Sequence, residues 1–293
     1  MIEFAQWNMR RQLSLLWQEA FGDLKRIPDF FLNNIFSPRD CLVFRIGGDI
    51  ASAVYLLPSS IISDGKLEPA HYIFAAATAQ KYRSRGYMSA LLAYAAIAGA
   101  KRGDHFSAVL PSGDNLYSFY TAAGYSDFYE VSETEIDRES LLKIAGACKS
   151  RGKVLPDIPA LNRLRKSCLL QYSGSMLWDD RMFCLSSAMS TIYGDKLICA
   201  SGKSGLAYAL CRMESSTECT VLESFAADGT FPRLAAEILQ YASAQKYRFR
   251  LPMNDSCLPK QGTPQKFGML KPLGGRSLSE LTSNNPYLGL AMD

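Results

Sequence analysis

Apolar positions recur at helical spacing in the first segment of the chain and at strand spacing soon after. From about Glu3 to Phe21, the residues Leu13, Leu16, Trp17, Ala20 and Phe21 share a helix face, with Gln12, Gln18 and Glu19 between them and Gly22 to end the element. A second short helix is expected over Pro28 to Ile35, because proline suits a first turn and Ser37-Pro38 closes the segment. The period then changes. Cys41 to Ile46 and Ile50 to Leu57 are β-prone runs joined by Gly47-Gly48-Asp49, and a third run, His71 to Thr78, follows the turn-like Ser63-Asp64-Gly65. Further on, Ser89 to Lys101 predicts a helix, Phe106 to Leu110 a short buried strand, Asn115 to Ala123 a helix and Tyr125 to Val131 a strand.

From Glu133 to Pro159 the sequence is charged and irregular, and Pro156 and Pro159 follow a basic run at 149–153. We place a domain boundary there, dividing the chain into 1–150 and 151–293. The second part predicts a helix near Ser175 to Thr191, strands near Leu197 to Ala200, Leu206 to Met213 and Cys219 to Phe225, a helix from Pro232 to Ala244 and a short strand at Tyr247 to Leu251. That order echoes the first part without any residue-level repeat. Gly202-Lys203-Ser204 lacks the spacing of a phosphate loop and reads as a hairpin turn. Trp7, Trp17 and Trp178 read as core residues on helices.

A length of 293 residues suits two domains, and 48% hydrophobic with 20% charged residues is the composition of an ordinary globular chain. The formal charge of +4 is too near balance for a nucleic-acid footprint. With no apolar run of membrane-spanning length and no basic-then-apolar start, we expect a cytoplasmic protein without membrane or nucleic-acid partners. The eight cysteines are scattered and only His71 and His105 add imidazoles, so buried reduced thiols are expected and no metal site.

The candidate chemistry lies where a small-residue strand, Ala75-Ala76-Ala77-Thr78, leads through Tyr82 into Arg83-Ser84-Arg85-Gly86-Tyr87-Met88 and directly into a helix. Free amides of a first helical turn point at an anion and the helix dipole supports its charge. Gly86 lets the backbone approach closely, and Arg83 and Arg85 add positive charge. About 30 residues downstream comes Asn115-Leu116-Tyr117-Ser118-Phe119-Tyr120-Thr121-Ala122-Ala123-Gly124-Tyr125.

These two segments, in this order, resemble the GNAT superfamily of acyl-CoA-dependent N-acyltransferases. Arg83, Gly86 and Met88 occupy the positions of its cofactor motif, in which Met88 stands where the family has Gly or Ala. Asn115, Tyr120, Gly124 and Tyr125 are similar to its asparagine-containing helix with a closing aromatic. The resemblance implies an α+β (α/β) fold with a mixed, mostly antiparallel central sheet flanked by helices, and acetyl-CoA as cofactor. It implies that the cofactor is held by Ala76, Thr78, the segment Arg83, Ser84, Arg85, Gly86, Tyr87 and Met88, and Asn115. Tyr120 is implied as the general acid that protonates the departing thiolate, and a small-molecule or peptide amine as acceptor. His71, Glu68 and Glu130 are weighed as general bases without a choice among them.

A complete GNAT-like domain followed by a degenerate one without a cofactor loop is similar to the bacterial enhanced-intracellular-survival group of acetyltransferases, lacking their third domain. In that group the terminal carboxylate reaches the active site, which makes Asp293 a second catalytic candidate. The loop Ala226 to Pro232 stands where a second cofactor loop would fall, but it has no matching arginine and carries Asp228. A non-catalytic acyl-CoA-binding module and a purely structural scaffold stay open as alternatives, as does homo-oligomerisation.

Overall fold

The computed structural model describes residues 1–150, 157–253, 255–260, 262–281 and 285–290. The chain forms two compact units: Met1–Phe128 with Gly268–Thr282, and Tyr129–Phe267 with Ser283–Asp293.

In the first unit, β1 (Ile2–Phe4), α1 (Arg10–Phe21) and α2 (Arg26–Asn34) precede a meander of β2 (Cys41–Ile46), β3 (Asp49–Ser63) and β4 (Lys66–Thr78). After these come α3 (Tyr87–Arg102), β5 (Phe106–Val109), α4 (Asp114–Ala122) and β6 (Ser126–Asp127). β3 and β4 are longer than the apolar runs suggest. They pair from Ser52↔Thr78 to Ser63↔Lys66 around Asp64 and Gly65, whose positive φ values of 47° and 76° are those of a tight hairpin turn. Pro58 and Pro69 lie inside this hairpin, opposite His71 and Ser60. The sheet order is β1-β2-β3-β4-β5, then a return strand Met269–Pro272, then β6. The return strand is antiparallel to β5 and β6, whereas β4 and β5 are parallel.

Alternation along the strands divides the core in two. Val54, Leu56 and Ile73 share a cluster with Leu91, Leu92 and Ala95 of α3 and with Tyr120 and Tyr125. Tyr55 and Phe74, on the opposite face, meet Trp17 and Phe31, with Trp17 and Phe74 centroids 5.5 Å apart.

The second unit comprises β7 (Glu130–Asp137), α5 (Arg138–Ala145), α6 (Ile158–Leu169), β8 (Met176–Leu177), α7 (Asp180–Tyr193), β9 (Lys196–Ser201), β10 (Leu206–Met213), β11 (Glu218–Ala226), α8 (Phe231–Tyr241), β12 (Lys246–Leu251) and β13 (Thr263–Lys266). Its sheet order is β13-β7-β12-β11-β10-β9, with β11 and β12 parallel. The charged stretch from Glu130 is therefore strand and helix: Glu133 and Glu135 face Arg250 and Arg248 across the β7–β12 ladder, and Asp137 caps α5 by accepting from the Ser140 amide. α5 and α8 pack on one side of the sheet, with Leu141, Leu234 and Ile238 buried there.

Two smaller expectations change. Trp7 is 58% exposed, stacked edge-on to Phe36 and capped by Arg10, because it lies in a short 3₁₀ turn ahead of α1. All eight cysteines are free, but Cys184 is exposed on α7. Among the described residues, no helix is long and apolar enough to cross a membrane.

Candidate functional site

β4 pairs with β5 only from Ala70↔Phe106 to Ile73↔Val109 and then continues alone on that side to Thr78. Within this overhang Ala75 has φ 44°, opposite the register shift between Ala53 and Tyr55 of β3. The bulge bends β4 past the end of its pairing with β5, and of the two residues expected to offer backbone groups Thr78 borders a cleft while Ala76 is not among its lining residues. Ala76 packs against the core cluster, and the Thr78 hydroxyl shares a 2.8 Å hydrogen bond with Ser52.

Ser84 and Gly86 then take φ values of 59° and 77°, and the chain enters α3 at Tyr87. Gly86 is required by its backbone angle: a Cβ there would meet nothing within 4 Å. No side chain caps the start of α3 and no acidic residue stands in its first turn, so its amides and dipole are left for an anion. Arg83, Ser84 and Arg85 are exposed. The Arg83 Nε donates to the Thr78 carbonyl at 3.2 Å, tying the loop to the strand end. Lys81 and the Tyr82 hydroxyl both reach Asp49, which fixes the approach to the loop.

The loop borders a cleft of about 340 Å³ lined by Thr78, Tyr82, Arg83 to Ser89 and Phe119. The expected residues Thr78, Arg83, Ser84, Arg85, Gly86, Tyr87 and Met88 are thus brought together. Met88 is half-buried and packs against the core cluster, which explains how a large side chain is accommodated there. Asn115, exposed in the first turn of α4, is not among the lining residues. Phe119 was not anticipated from the sequence. It sits one residue before Tyr120, with ring centroids 5.3 Å apart, and only the register of α4 against the cleft reveals it.

Tyr120 is 6% exposed and belongs to the cluster against which Ala76, Met88 and Phe119 pack. Burial pushes its phenol up to about 12, and among the described residues its hydroxyl has no hydrogen-bond partner. Tyr125 stands edge-on to it at 5.6 Å and bonds Ser107. The return strand supplies Lys271, whose Nζ donates to the Ala123 carbonyl at 2.7 Å and so ties down the C-terminus of α4.

Two of the candidate bases, His71 and Glu68, are engaged elsewhere. His71 is fully buried, its Nδ1 2.7 Å from Asp104, and it packs so closely on Gly99 of α3 that a Cβ there would strike the ring. Glu68 lies 2.6 Å from His105 Nδ1 and 3.5 Å from Arg276. Glu130 is exposed at the start of β7 in the second unit. Asp293 lies outside the described residues. Burial lowers the His71 pKa despite the opposing pull of Asp104. A histidine depressed in the fold contributes stability that is complete above its unfolded value near 6.5 and is lost as pH falls below it. Thermal unfolding followed from pH 7.5 to 5 should show a falling midpoint in the wild type, with a clearly smaller slope in His71→Gln; equal slopes would contradict this account.

In the second unit, Ala226 to Gly229 and Phe231 line a wider cleft of about 910 Å³ with Asp228 and Asp255, and no lysine or arginine is among its lining residues.

Residues 6–127, less than half of the chain, match the family model for an acetyltransferase (GNAT) domain. No curated protein matches the sequence. Solved structures do. A GCN5-related N-acetyltransferase from Anabaena variabilis aligns with 92% of this chain and 72% of its own at 16% identity and a TM-score of 0.74. Eis1 from Mycobacterium abscessus covers 93% of this chain and 73% of its own at 13% identity and 0.67. A probable N-acyltransferase from Enterococcus faecalis covers 93% and 72% at 17% identity and 0.69. At such identities the likeness is one of fold: the chain has the mixed, antiparallel-dominated α/β architecture of these GNAT structures, with the acetyltransferase-domain match confined to the part that carries the loop Arg83 to Met88.

Proposed function

We propose that the first unit is an acyl-CoA-dependent N-acyltransferase, with acetyl-CoA as the donor and a primary amine as the acceptor. The observation that carries this reading is the uncapped start of α3, with the loop Arg83 to Met88 lining a cleft beside the bulged, unpaired end of β4. A helix N-terminus with two arginines suits a pyrophosphate, and a strand edge with open backbone groups suits the amides of a pantetheine arm. Arg83, Ser84, Arg85, Gly86, Tyr87 and Met88 would hold the pyrophosphate, and Ala76, Thr78 and Asn115 the arm. Bound acyl-CoA supplies the activated thioester.

Tyr120 is the proton donor in this reading. A phenol near 12 keeps its proton at physiological pH and has it to give when a thiolate departs. Its place in the cluster backing Met88, Ala76 and Phe119 supports that role. Asp293 is proposed as a base through its terminal carboxylate. The second unit is read as a degenerate GNAT-like domain without a cofactor loop, in the manner of the enhanced-intracellular-survival group.

The double substitution Arg83→Ala/Arg85→Ala should weaken acetyl-CoA binding at least about tenfold, since hydrogen bonds to charged groups contribute roughly 1.5–3 kcal/mol. Fluorescence titration at two ionic strengths would check it. An unchanged Kd would remove the loop from the cofactor site.

A further inference from the structure

Both units contain the same strand arrangement. In the first, four residue pairs join β4 to β5 before β4 runs on to Thr78. In the second, four pairs from Glu218↔Lys246 to Val221↔Phe249 join β11 to β12 before β11 runs on to Ala226. Each overhang also faces a register shift in its antiparallel partner, at Ala53/Tyr55 and at Leu210/Cys211. A strand that outlasts its parallel neighbour leaves main-chain groups in need of partners on that side. In the second unit Glu223 lies on the overhang, and it is fully buried.

We infer that Pro286–Leu290 is an internal ligand of the second unit, seated against the overhang of β11 and latched there by the buried Arg165–Glu223 pair. All five of its residues are buried. Arg165, on α6 and fully buried, donates from Nε to both Glu223 oxygens at 3.1 and 3.2 Å, from Nη1 to the Met176 carbonyl at 3.0 Å and from Nη2 to the Leu288 carbonyl at 3.1 Å. Glu223 also accepts from the Tyr208 hydroxyl at 2.6 Å. The guanidinium is thereby shared between the overhang and the C-terminal segment, and removal of either leaves buried donors unmatched.

The segment is bound along its backbone as a peptide would be. Tyr287 N donates to Ser175 Oγ at 2.9 Å, its carbonyl accepts from Met176 N at 3.0 Å, and the Leu290 carbonyl accepts from Trp178 Nε1 at 3.0 Å. The Tyr287 ring stands edge-on to Phe225 of the overhang at 5.8 Å. Gly289 has φ 48°, and a Cβ there would strike Glu223, the Tyr287 ring and Arg165. The β11 overhang is thus met at Glu223 and Phe225 by the chain itself, while Ser224 to Ala226 at its end border the open cleft of about 910 Å³. The inference stands whether or not the first unit binds acyl-CoA.

The test is hydrogen exchange in the intact chain and in a chain ending at Asn285, with and without the synthetic peptide PYLGLAMD. In the intact chain the Met176 and Tyr287 amides should exchange at least about 100-fold more slowly than in an open loop. Truncation should abolish Met176 protection, the peptide should restore it saturably, and a scrambled peptide should not. Met176 or Tyr287 exchanging freely in the intact chain overturns the inference, as does Met176 protection that survives truncation. If the truncated chain does not fold, the intact-chain rates decide alone, with Tyr287→Phe as a folded control that should keep both amides protected.

Discussion

Tyr120→Phe is expected to lower kcat by about 10² to 10⁴, the range that a positioned general acid contributes, while leaving the Kd for acetyl-CoA within about threefold. The substitution removes one oxygen and keeps the ring that packs against Phe119 and Tyr125. That oxygen has no hydrogen-bond partner among the described residues, so no stabilising contact is lost with it. Folding stability should therefore hold, since the hydroxyl gives up no protein partner. Parallel losses in kcat and in cofactor affinity would mark Tyr120 as a packing residue. The pH profile offers a second readout: a donor held near 12 predicts no alkaline-limb loss of activity assignable to its ionisation below pH 9.

The largest expected loss of stability lies in the second unit. Glu223→Leu leaves the Arg165 guanidinium buried without its counter-charge and the Tyr208 hydroxyl without its acceptor, which should cost about 3–5 kcal/mol. The double variant Arg165→Met/Glu223→Leu removes both charges together and should recover much of that loss. Urea unfolding followed by tryptophan emission would compare the three chains. A Glu223→Leu chain as stable as the wild type would show that the pair is not desolvated as described. A double variant no better than the single one would place the cost in the lost backbone contacts to Met176 and Leu288 instead of in the charges.

Local chemistry made the candidate loop readable. Small residues at Ala75 to Ala77, a glycine where φ is positive and an uninterrupted Ala- and Leu-rich run mark the end of β4 and the start of α3 within a short window. The hairpin of β3 and β4 outruns its apolar runs, and it accommodates Pro58 and Pro69, which have no N–H to donate to the ladder. α6 was missed for a different reason. Its buried face combines Leu161 and Leu169 with Asn162 and Arg165, so an apolar count finds no stripe. The Asn162 amide nitrogen donates to the Trp178 carbonyl and to Asp180, and Arg165 donates to Glu223 and the C-terminal segment, partners outside the helix.

The return strand Met269–Pro272 is likewise invisible to local reading. It is four residues long, and its pairing with Phe106–Val109 joins positions far apart in the chain. Its effect on the site is nonetheless direct, since Lys271 secures the turn after α4 that carries Phe119 and Tyr120. The boundary expected at 150/151 rests on charge and proline content, whereas the compact units divide at Phe128 and again at Phe267. Alternating charges on β7 are paired with arginines on β12, so they mark a half-exposed strand in place of a linker.

The central claim is that the loop Arg83 to Met88 and the open end of β4 hold an acyl-CoA. Isothermal titration of the intact chain with acetyl-CoA tests it most directly. The account predicts saturable binding at one site per chain, weakened at least about tenfold by Arg83→Ala/Arg85→Ala. A folded wild-type chain that gives no binding signal at millimolar acetyl-CoA would contradict it.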